Sequence, residues 1–559
     1  MIEILVFISI FYICLISVLG YGFLLNKVCF NNEVDNNLVY IGFYGLALLT
    51  LISFLTSLIF AHNFLHNIII HSIGIIFFLF LKKKIKHSYL KNIFYISFCI
   101  FSLLIISKTN DDFSYYHLPF TKYLTENFII FGMGHLNHGY NLISSLFYLN
   151  SLFYLPYINF YSFHFTILYF LIFFNYFLLI EIFNNKNEIS KYLFLFTFVF
   201  FNLSFNRLAE FGTDKVGQLL IVILLIKFFE FLSINEDHNK LEKTLNLLPL
   251  LAFCITLKTY FLPYILFSFC LIMLKTKITI VLNYIIRSKA FIFFLIILIL
   301  NFTHHFVHTG CFISPISFTC FDNYFAWSRD VNDIKNLSLW LEQWAKAGAG
   351  PNLRVDNPSI YISNFNWISN WFNNYFLGKF SDQLLLMITC FLIIFLFFKK
   401  FTLSNKKKFE KKNFYLFYVI LLSIFFIWFS YHPTLRYGGY SIVFLILSIP
   451  SVILLSKFNE KPNFKKKFKI LVILVAIILN LKNLNRINDE FERDDIYKFN
   501  NFPFYAIKNN EYSVTIFEDN LMIYSSKGHC WLTPSPCGSI KKNLSFNKDG
   551  RYKFIKIIK

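Results

Sequence analysis

The chain has 559 residues, of which 57% are hydrophobic and 77 are Phe, with a formal net charge of +21. Apolar runs long enough to cross a bilayer recur along it, which excludes an ordinary water-soluble domain and points to a polytopic helical membrane protein. The positive charge does not indicate nucleic acid, because the lysines sit in short clusters between apolar runs, as cytoplasmic loops do beside an anionic leaflet.

In chain order, the apolar runs predict helices at 2–24, 38–61, 65–81, 92–107, 158–183, 192–206, 216–233, 245–257, 260–274, 290–305, 383–399, 413–430, 440–456 and 469–481. Several are short for a span of about 20 residues, so the expectation is an all-α membrane protein of about 12–14 transmembrane helices. The pair 245–257 and 260–274 reads either as two helices or as one span kinked at Pro263. The first run lacks a basic leader and a small-residue cleavage site, so it is expected to be a retained helix.

The basic runs at 82–91, 275–277, 399–412 and 457–469 belong inside by the positive-inside rule. Loops 108–157 and 306–382, a short turn at 207–215 and the tail from 482 then fall outside. The expected organisation is N-terminal transmembrane helices at 1–107, a transmembrane core at 108–481, and a small α/β extramembrane domain at 482–559, whose alternating stretches "YSVTIFED" and "YKFIKII" predict strands. This topology describes a multi-pass protein of the bacterial inner membrane with a periplasmic C-terminal domain. Membrane lipids are its expected surroundings.

Two cysteine pairs lie in these outer segments. Cys311 and Cys320 frame "CFISPISFTC", and Cys530 and Cys537 frame "CWLTPSPC". Disulfides, free thiols and zinc are all open to them. Disulfides suit an oxidising compartment, while the spacings do not match the ligand pairs two to four residues apart that a zinc site wants.

Charged residues that interrupt apolar sequence are the candidate site. In "KTNDDFSYYHLPF", Asp111 and Asp112 follow a predicted helix at the outer surface, with Tyr116 and His117 close behind. Such a carboxylate can act as a general base or simply cap the next helix. Asp214 in "RLAEFGTDKVGQLL" is open to the same two readings, and Lys258 near the end of an apolar run can snorkel or bind a lipid phosphate. In "SYHPTLRYGGY", Arg436 is an interfacial anchor or a phosphate clamp, with Gly438 and Gly439 allowing close backbone approach. Trp327, Trp340 and Trp344 of the long outer loop are candidates to cover a bound substrate or to serve in an interfacial belt.

"DFSYYHLP" resembles an Asp-x-x-x-Tyr-His-Leu-Pro pattern found in a group of bacterial membrane proteins similar to the GT-C glycosyltransferases, and "GHLNHGYNLISSLFYLNSLF", "AEFGTDKVGQ", "GCFISPISFTCFDNYFAWS", "HPTLRY" and "HCWLTPSPCG" resemble further segments of the same group. The resemblance implies a GT-C-like core and an enzyme that transfers a sugar from a polyprenyl-phosphate-linked donor to a glycan or lipid acceptor on the periplasmic face. It implies Asp112 as general base or donor-coordinating acid, assisted by Asp111 and Asp214, with Tyr116, His117, Lys258, His432, Arg436 and Tyr437 binding substrate. A lipid-linked glycan polymerase or ligase is the closest alternative in chemistry, and a polytopic transporter or flippase the alternative from another class. The first large outer loop has no Asp-x-Asp or Glu-x-Asp pair, the metal-binding signature of some members. A divalent metal ion is therefore an open expectation, with His135 and His138 as its candidate ligands.

Overall fold

The computed structural model describes residues 2–30, 38–81, 87–104, 112–205, 213–232, 237–268, 283, 285–322, 324–348, 355–403, 412–492, 510–517, 522–538 and 544–557. Asp111, and the basic run at 275–277, lie outside the described residues.

Among the described residues, nine helices are long and apolar enough to cross a membrane. The first three helices are α1 (Ile2–Phe30), α2 (Ile41–Ser57) and α3 (Phe64–Leu81). The fourth, α4 (His87–Ile100), is followed by two short helices, α5 (Leu118–Glu126) and α6 (Ser145–Ser151). The centre of the bundle is built from α7 (Phe165–Asn184), α8 (Glu188–Ser204) and α9 (Thr213–Phe231), with α10 (Asp237–Leu257) beside them. Helices α7, α8 and α9 are buried on nearly every face, so each packs against neighbours all round. Tyrosine hydroxyls brace the bundle by donating to main-chain carbonyls of other helices: Tyr169 to Phe11 at 2.7 Å, Tyr21 to Ile70 at 2.7 Å and Tyr44 to Asn246 at 2.7 Å. Asn175 of α7 and Asn202 of α8 exchange amide hydrogen bonds of 3.1 and 2.7 Å. Such pairing removes the cost of a polar group in an apolar interior.

The remaining long helices are α11 (Lys289–Thr309), α14 (Ile368–Phe398), α15 (Lys412–Tyr431), α16 (Gly439–Ser456) and α17 (Phe464–Phe491). On α14, Leu385, Ile388, Leu392 and Leu396 form an exposed stripe at helical spacing, and Ile470, Ile473, Ile477 and Leu481 do the same on α17. A soluble protein hides such stripes; these suit hydrocarbon.

The sequence boundaries differ from the structure at instructive places. Helix α10 ends at Leu257, and Lys258 is extended (φ −155°, ψ 132°) before a 3-10 turn over Thr259–Tyr264. The chain thus breaks five residues ahead of Pro263, rather than kinking at it. The amphipathic helix α12 (Val331–Lys346) and the short α13 (Pro358–Ile362) lie within the expected outer loop 306–382. The loop 108–157 is not an open hydrated loop: from Phe113 to Phe153 it is almost wholly buried, with α5 and α6 packed into one end of the bundle.

The strands divide between the two ends. β2 (Lys399–Leu403) pairs antiparallel with β3 (Phe458–Glu460), joining two of the basic runs at one end. At that end Lys399 meets Glu188 at 2.6 Å, and Lys191 meets Glu460 at 3.0 Å. At the other end, β1 (Ile130–Phe131) runs parallel to β7 (Tyr552–Ile557), which pairs antiparallel with β6 (Leu544–Asp549). β4 (Tyr512–Ile516) and β5 (Met522–Ser526) form a separate antiparallel pair. The strands expected in the tail are present, and one of them is joined to the first long loop.

Cys311–Cys320 and Cys530–Cys537 are both bonded, each with an S–S distance of 2.04 Å. The second closes a loop that grips the 113–126 segment and Tyr140 beyond it: Trp531 N–H donates to Ser114 O (3.1 Å), Lys122 Nζ to Thr533 O (3.2 Å), Ser535 N–H to Glu126 Oε2 (3.0 Å), and Tyr140 Oη to Cys537 O (2.9 Å). Replacing both Cys530 and Cys537 by Ser should cost about 2–3 kcal/mol, as expected for opening a short loop, and should speed amide hydrogen exchange across 113–126. Unchanged exchange there would show that the grip does not depend on the bond.

Candidate functional site

Four charged side chains from four separate segments meet at the end of the bundle opposite β2 and β3. Arg436 is the hub: its Nε donates to Asp214 Oδ2 at 2.5 Å and its Nη2 to Asp112 Oδ2 at 2.5 Å. Lys258 Nζ lies 3.4 Å from Asp214 Oδ1. Two carboxylates and two cations balance, which is how charges persist where water is scarce. The inner half is closed, with side-chain exposure of 9% for Asp214 and 13% for Lys258, and the outer half is open, with 31% for Asp112 and 35% for Arg436. Nη1 of Arg436 makes no hydrogen bond among the described residues.

Asp112 owes its position to local chain chemistry. It stands immediately before a π-helical turn, Phe113–His117, that runs into α5. Pro119 sits in the first turn of α5 and has no N–H to return to Tyr115 O, so the chain widens there and Leu118 N–H reaches back to Phe113 O. The carbonyls released by the wider turn are used elsewhere: Ser114 O accepts from Trp531 N–H, and Tyr115 O accepts from Asn137 Nδ2 at 3.2 Å. Tyr116 and His117 point inward and are buried, with His117 against Phe147 at a ring separation of 5.2 Å. Burial alone raises the Asp112 pKa, but the Arg436 guanidinium and His117 outweigh it and hold the carboxyl below the usual carboxylate range.

Asp214 occupies the first turn of α9, where the helix dipole favours a negative charge. One turn on, Gln218 clamps the arginine loop, donating to Leu435 O at 3.1 Å and Arg436 O at 3.0 Å, and accepting from Ser441 N–H at 3.1 Å. Trp371 Nε1 donates to Pro433 O at 2.6 Å, Trp428 Nε1 to Thr434 O at 3.0 Å, and Leu435 N–H to the Tyr375 hydroxyl at 2.7 Å. Gly438 takes φ +89°, and a Cβ on Gly439 would lie 2.6 Å from the Trp428 ring. Both glycines therefore serve the turn itself, rather than leaving backbone open to a phosphate. Burial pushes Arg436 toward losing its proton, but Asp214 and Asp112 outweigh it and keep the guanidinium charged.

Helix α12 brings Trp340 and Trp344, one turn apart, over this end. The Trp344 ring lies 5.7 Å from Arg436 Cζ and 6.2 Å from the Tyr437 ring, and the Trp340 ring 5.7 Å from His138. His432 is half-buried, 5.3 Å from the Tyr437 ring; burial and the Lys346 ammonium push its pKa down to about 4. Trp327 instead packs on Phe131 and Phe554, beneath the small sheet.

His135 and His138 do not form a ligand pair. His135 is buried with Nε2 at 3.0 Å from Trp327 O, whereas His138 is exposed with Nδ1 at 2.6 Å from the Tyr115 hydroxyl. Among the described residues no group of three His, Cys, Asp or Glu side chains is arranged to hold a metal. The cysteine pairs are spent in disulfides and do not join the charged cluster.

Gln218, Tyr375, Trp371 and Trp428 were not legible as part of this site. Gln218 alone left a trace, four residues after Asp214 and so on the same helix face.

A family model described as Domain of unknown function (DUF8201) matches residues 3–443. The chain belongs to that family. The DUF8201 match takes in Asp112, Asp214, Gln218, Lys258 and Arg436, and ends within α16; the Cys530–Cys537 loop lies beyond it. No curated protein and no solved structure matches the chain.

Removing Arg436 leaves Asp214 buried beside one partner instead of two. Arg436→Gln should lower stability by about 2–3 kcal/mol, below the 3–5 typical of a fully buried pair because the arginine is partly open to solvent, and Gln218→Leu should loosen the same loop with a smaller loss. Asp112 has its lower pKa in the folded state, so its stabilisation is complete above the ordinary carboxylate value of about 3.9 and is lost as pH falls through the folded value. A melting-temperature series from pH 7 down to 3 should show this acid limb in wild type and a weaker one in Asp112→Asn. Identical limbs would mean that the Arg436 pair does not stabilise the fold.

Proposed function

We propose that this protein is a GT-C-type glycosyltransferase of the bacterial inner membrane, moving a sugar from a polyprenyl-phosphate-linked donor to a glycan or lipid acceptor at the periplasmic face. The observation that carries this reading is the half-open Arg436, with an unused guanidinium edge beside Asp112 and Lys258 one carboxylate away. A phosphate needs cations that are held in place, partly desolvated and still reachable. Asp214 holds both cations from below, while the open side leaves room for an anion to take a share of the guanidinium.

Four further observations support it. The basic strands β2 and β3 lie at the opposite end from the cluster, which agrees with a cytoplasmic end there and a periplasmic site here. Both bonded cysteine pairs belong to the site end, as suits an oxidising compartment. A cavity of about 330 Å³, lined mainly by apolar side chains of α4, α7, α8 and α17, offers a hydrocarbon chain a place in the bundle. Trp340 and Trp344 on α12 lie half-buried at the same end, beside His138 and Arg436, where aromatic rings can pack on a sugar.

The leaving group in this reaction is a phosphate, which departs as an anion and needs no proton. Its developing charge is what Arg436 and Lys258 offset. Reconstituted protein supplied with radiolabelled undecaprenyl-phosphate monosaccharides and a cell-envelope extract should transfer label. Arg436→Lys should lose at least tenfold in rate, since an ammonium cannot reproduce the fork that binds both carboxylates, and Asp112→Asn about 100-fold. Absence of transfer by wild type with every donor, or full transfer by Asp112→Asn, overturns the reading.

A further inference from the structure

A transfer to a hydroxyl acceptor must dispose of the acceptor's proton, and the two carboxylates of the cluster are poorly placed to take it. Asp112 and Asp214 each accept a hydrogen bond from Arg436, and Asp214 also faces Lys258. A carboxylate whose charge is already satisfied by a guanidinium is a weak base.

The neighbouring loop offers another group. Residues 132–141 are buried with one exception, His138. The path that exposes it begins at Pro119, whose missing N–H frees Tyr115 O for Asn137 Nδ2 (3.2 Å); Asn137 Oδ1 then accepts from Gly139 N–H at 2.8 Å. Gly139 lies flat against Tyr116, where a Cβ would come within 2.4 Å of the ring. His138, between them, is turned outward with Nδ1 at 2.6 Å from the Tyr115 hydroxyl, and Nε2 makes no hydrogen bond among the described residues.

Resting on the transferase reading above, we infer that His138 is the proton acceptor of the reaction, held by Tyr115, three residues along the chain from Asp112, with Nε2 left to meet the acceptor. In the tautomer that this role requires, Nδ1–H donates to the Tyr115 oxygen, which leaves the lone pair on Nε2. The acceptor O–H bond breaks and its proton goes to Nε2. The oxygen's electron pair forms the new bond to the anomeric carbon, and the carbon–oxygen bond to phosphate breaks with its pair going to the phosphate. Imidazolium and carrier phosphate are the charged products, and the imidazolium returns its proton to water. Asp112 is then a positioning residue, orienting Arg436 and favouring the imidazolium.

The groups that set the basicity of His138 come from every element around it. Burial lowers its pKa, Asp112 raises it and Arg329 lowers it. Tyr115 bonds its ring, Trp340 of α12 meets it edge-on, and His529 of the tail lies tilted against Tyr115 at 5.5 Å.

Two measurements test this on the full-length protein. Transfer from radiolabelled undecaprenyl-phosphate monosaccharides to envelope extract should show an acid limb in its pH–rate profile, and His138→Gln should abolish that limb and lose at least about 100-fold with an unchanged melting temperature. Wild-type transfer with an unchanged rate and profile in His138→Gln overturns the assignment of His138 and leaves the transferase reading standing. No wild-type transfer with any donor overturns both. Separately, diethylpyrocarbonate should modify His138 in a pH-dependent way, with the titration moved to lower pH in Asp112→Asn. Failure of His138 to react, or a titration unmoved by Asp112→Asn, sinks the inference without reference to activity.

Discussion

The end of this protein that gathers its charged cluster is organised around one guanidinium shared between two carboxylates. Arg436 bonds Asp112 across 324 positions of sequence and Asp214 across 222. Arginine is suited to this task because it stays charged when desolvated and because its planar fork can face two oxygens at fixed angles. Each carboxylate in turn draws on the cation: without it Asp112 would lose its ion-pair partner and buried Asp214 would keep Lys258 alone. The segment before α5, the first turn of α9 and the loop between α15 and α16 are therefore fixed relative to one another by charge as well as by packing.

Around that hub the main chain is held with unusual thoroughness. The arginine loop has its carbonyls taken by Gln218, Trp371 and Trp428, and one of its amides by Tyr375. Opposite it, the π-helical turn before α5 releases two carbonyls, which accept hydrogen bonds from Trp531 N–H of the tail and from Asn137 Nδ2. Rigid supports of this kind allow two partly exposed charges to keep one geometry instead of collapsing onto other partners.

The sequence made the helical framework readable because apolar runs of spanning length rarely form anything but membrane helices. It also singled out Asp112, Asp214, Lys258 and Arg436, since charges that interrupt such runs are conspicuous. Their mutual contact was not readable, because side-chain pairing across hundreds of residues leaves no local periodicity. Helix α12 was missed for a different reason: its apolar face is a stripe on a polar helix, too sparse for a search tuned to spans. The burial of residues 113–153 was missed because polar composition suggested an open loop, whereas short helices with internally satisfied backbone can enter the bundle. Glycines 438 and 439 were read as openings for a ligand, and the structure uses them to make a turn under Trp428.

The parallel pairing of β1 with β7 bears on the order in which the molecule comes into being. Ile130 and Phe131 find their partners at Lys553 and Phe554, after nearly every membrane helix has been made. Contacts this distant along the chain form late, because the intervening segments must be placed first. The first long loop, with Asp112 at its head, is thus synthesised early and completed late. A nascent chain still threading into the bilayer would carry the charged residues without the strand and disulfide loop that brace them. Final assembly of this end therefore waits on the last strand of the chain.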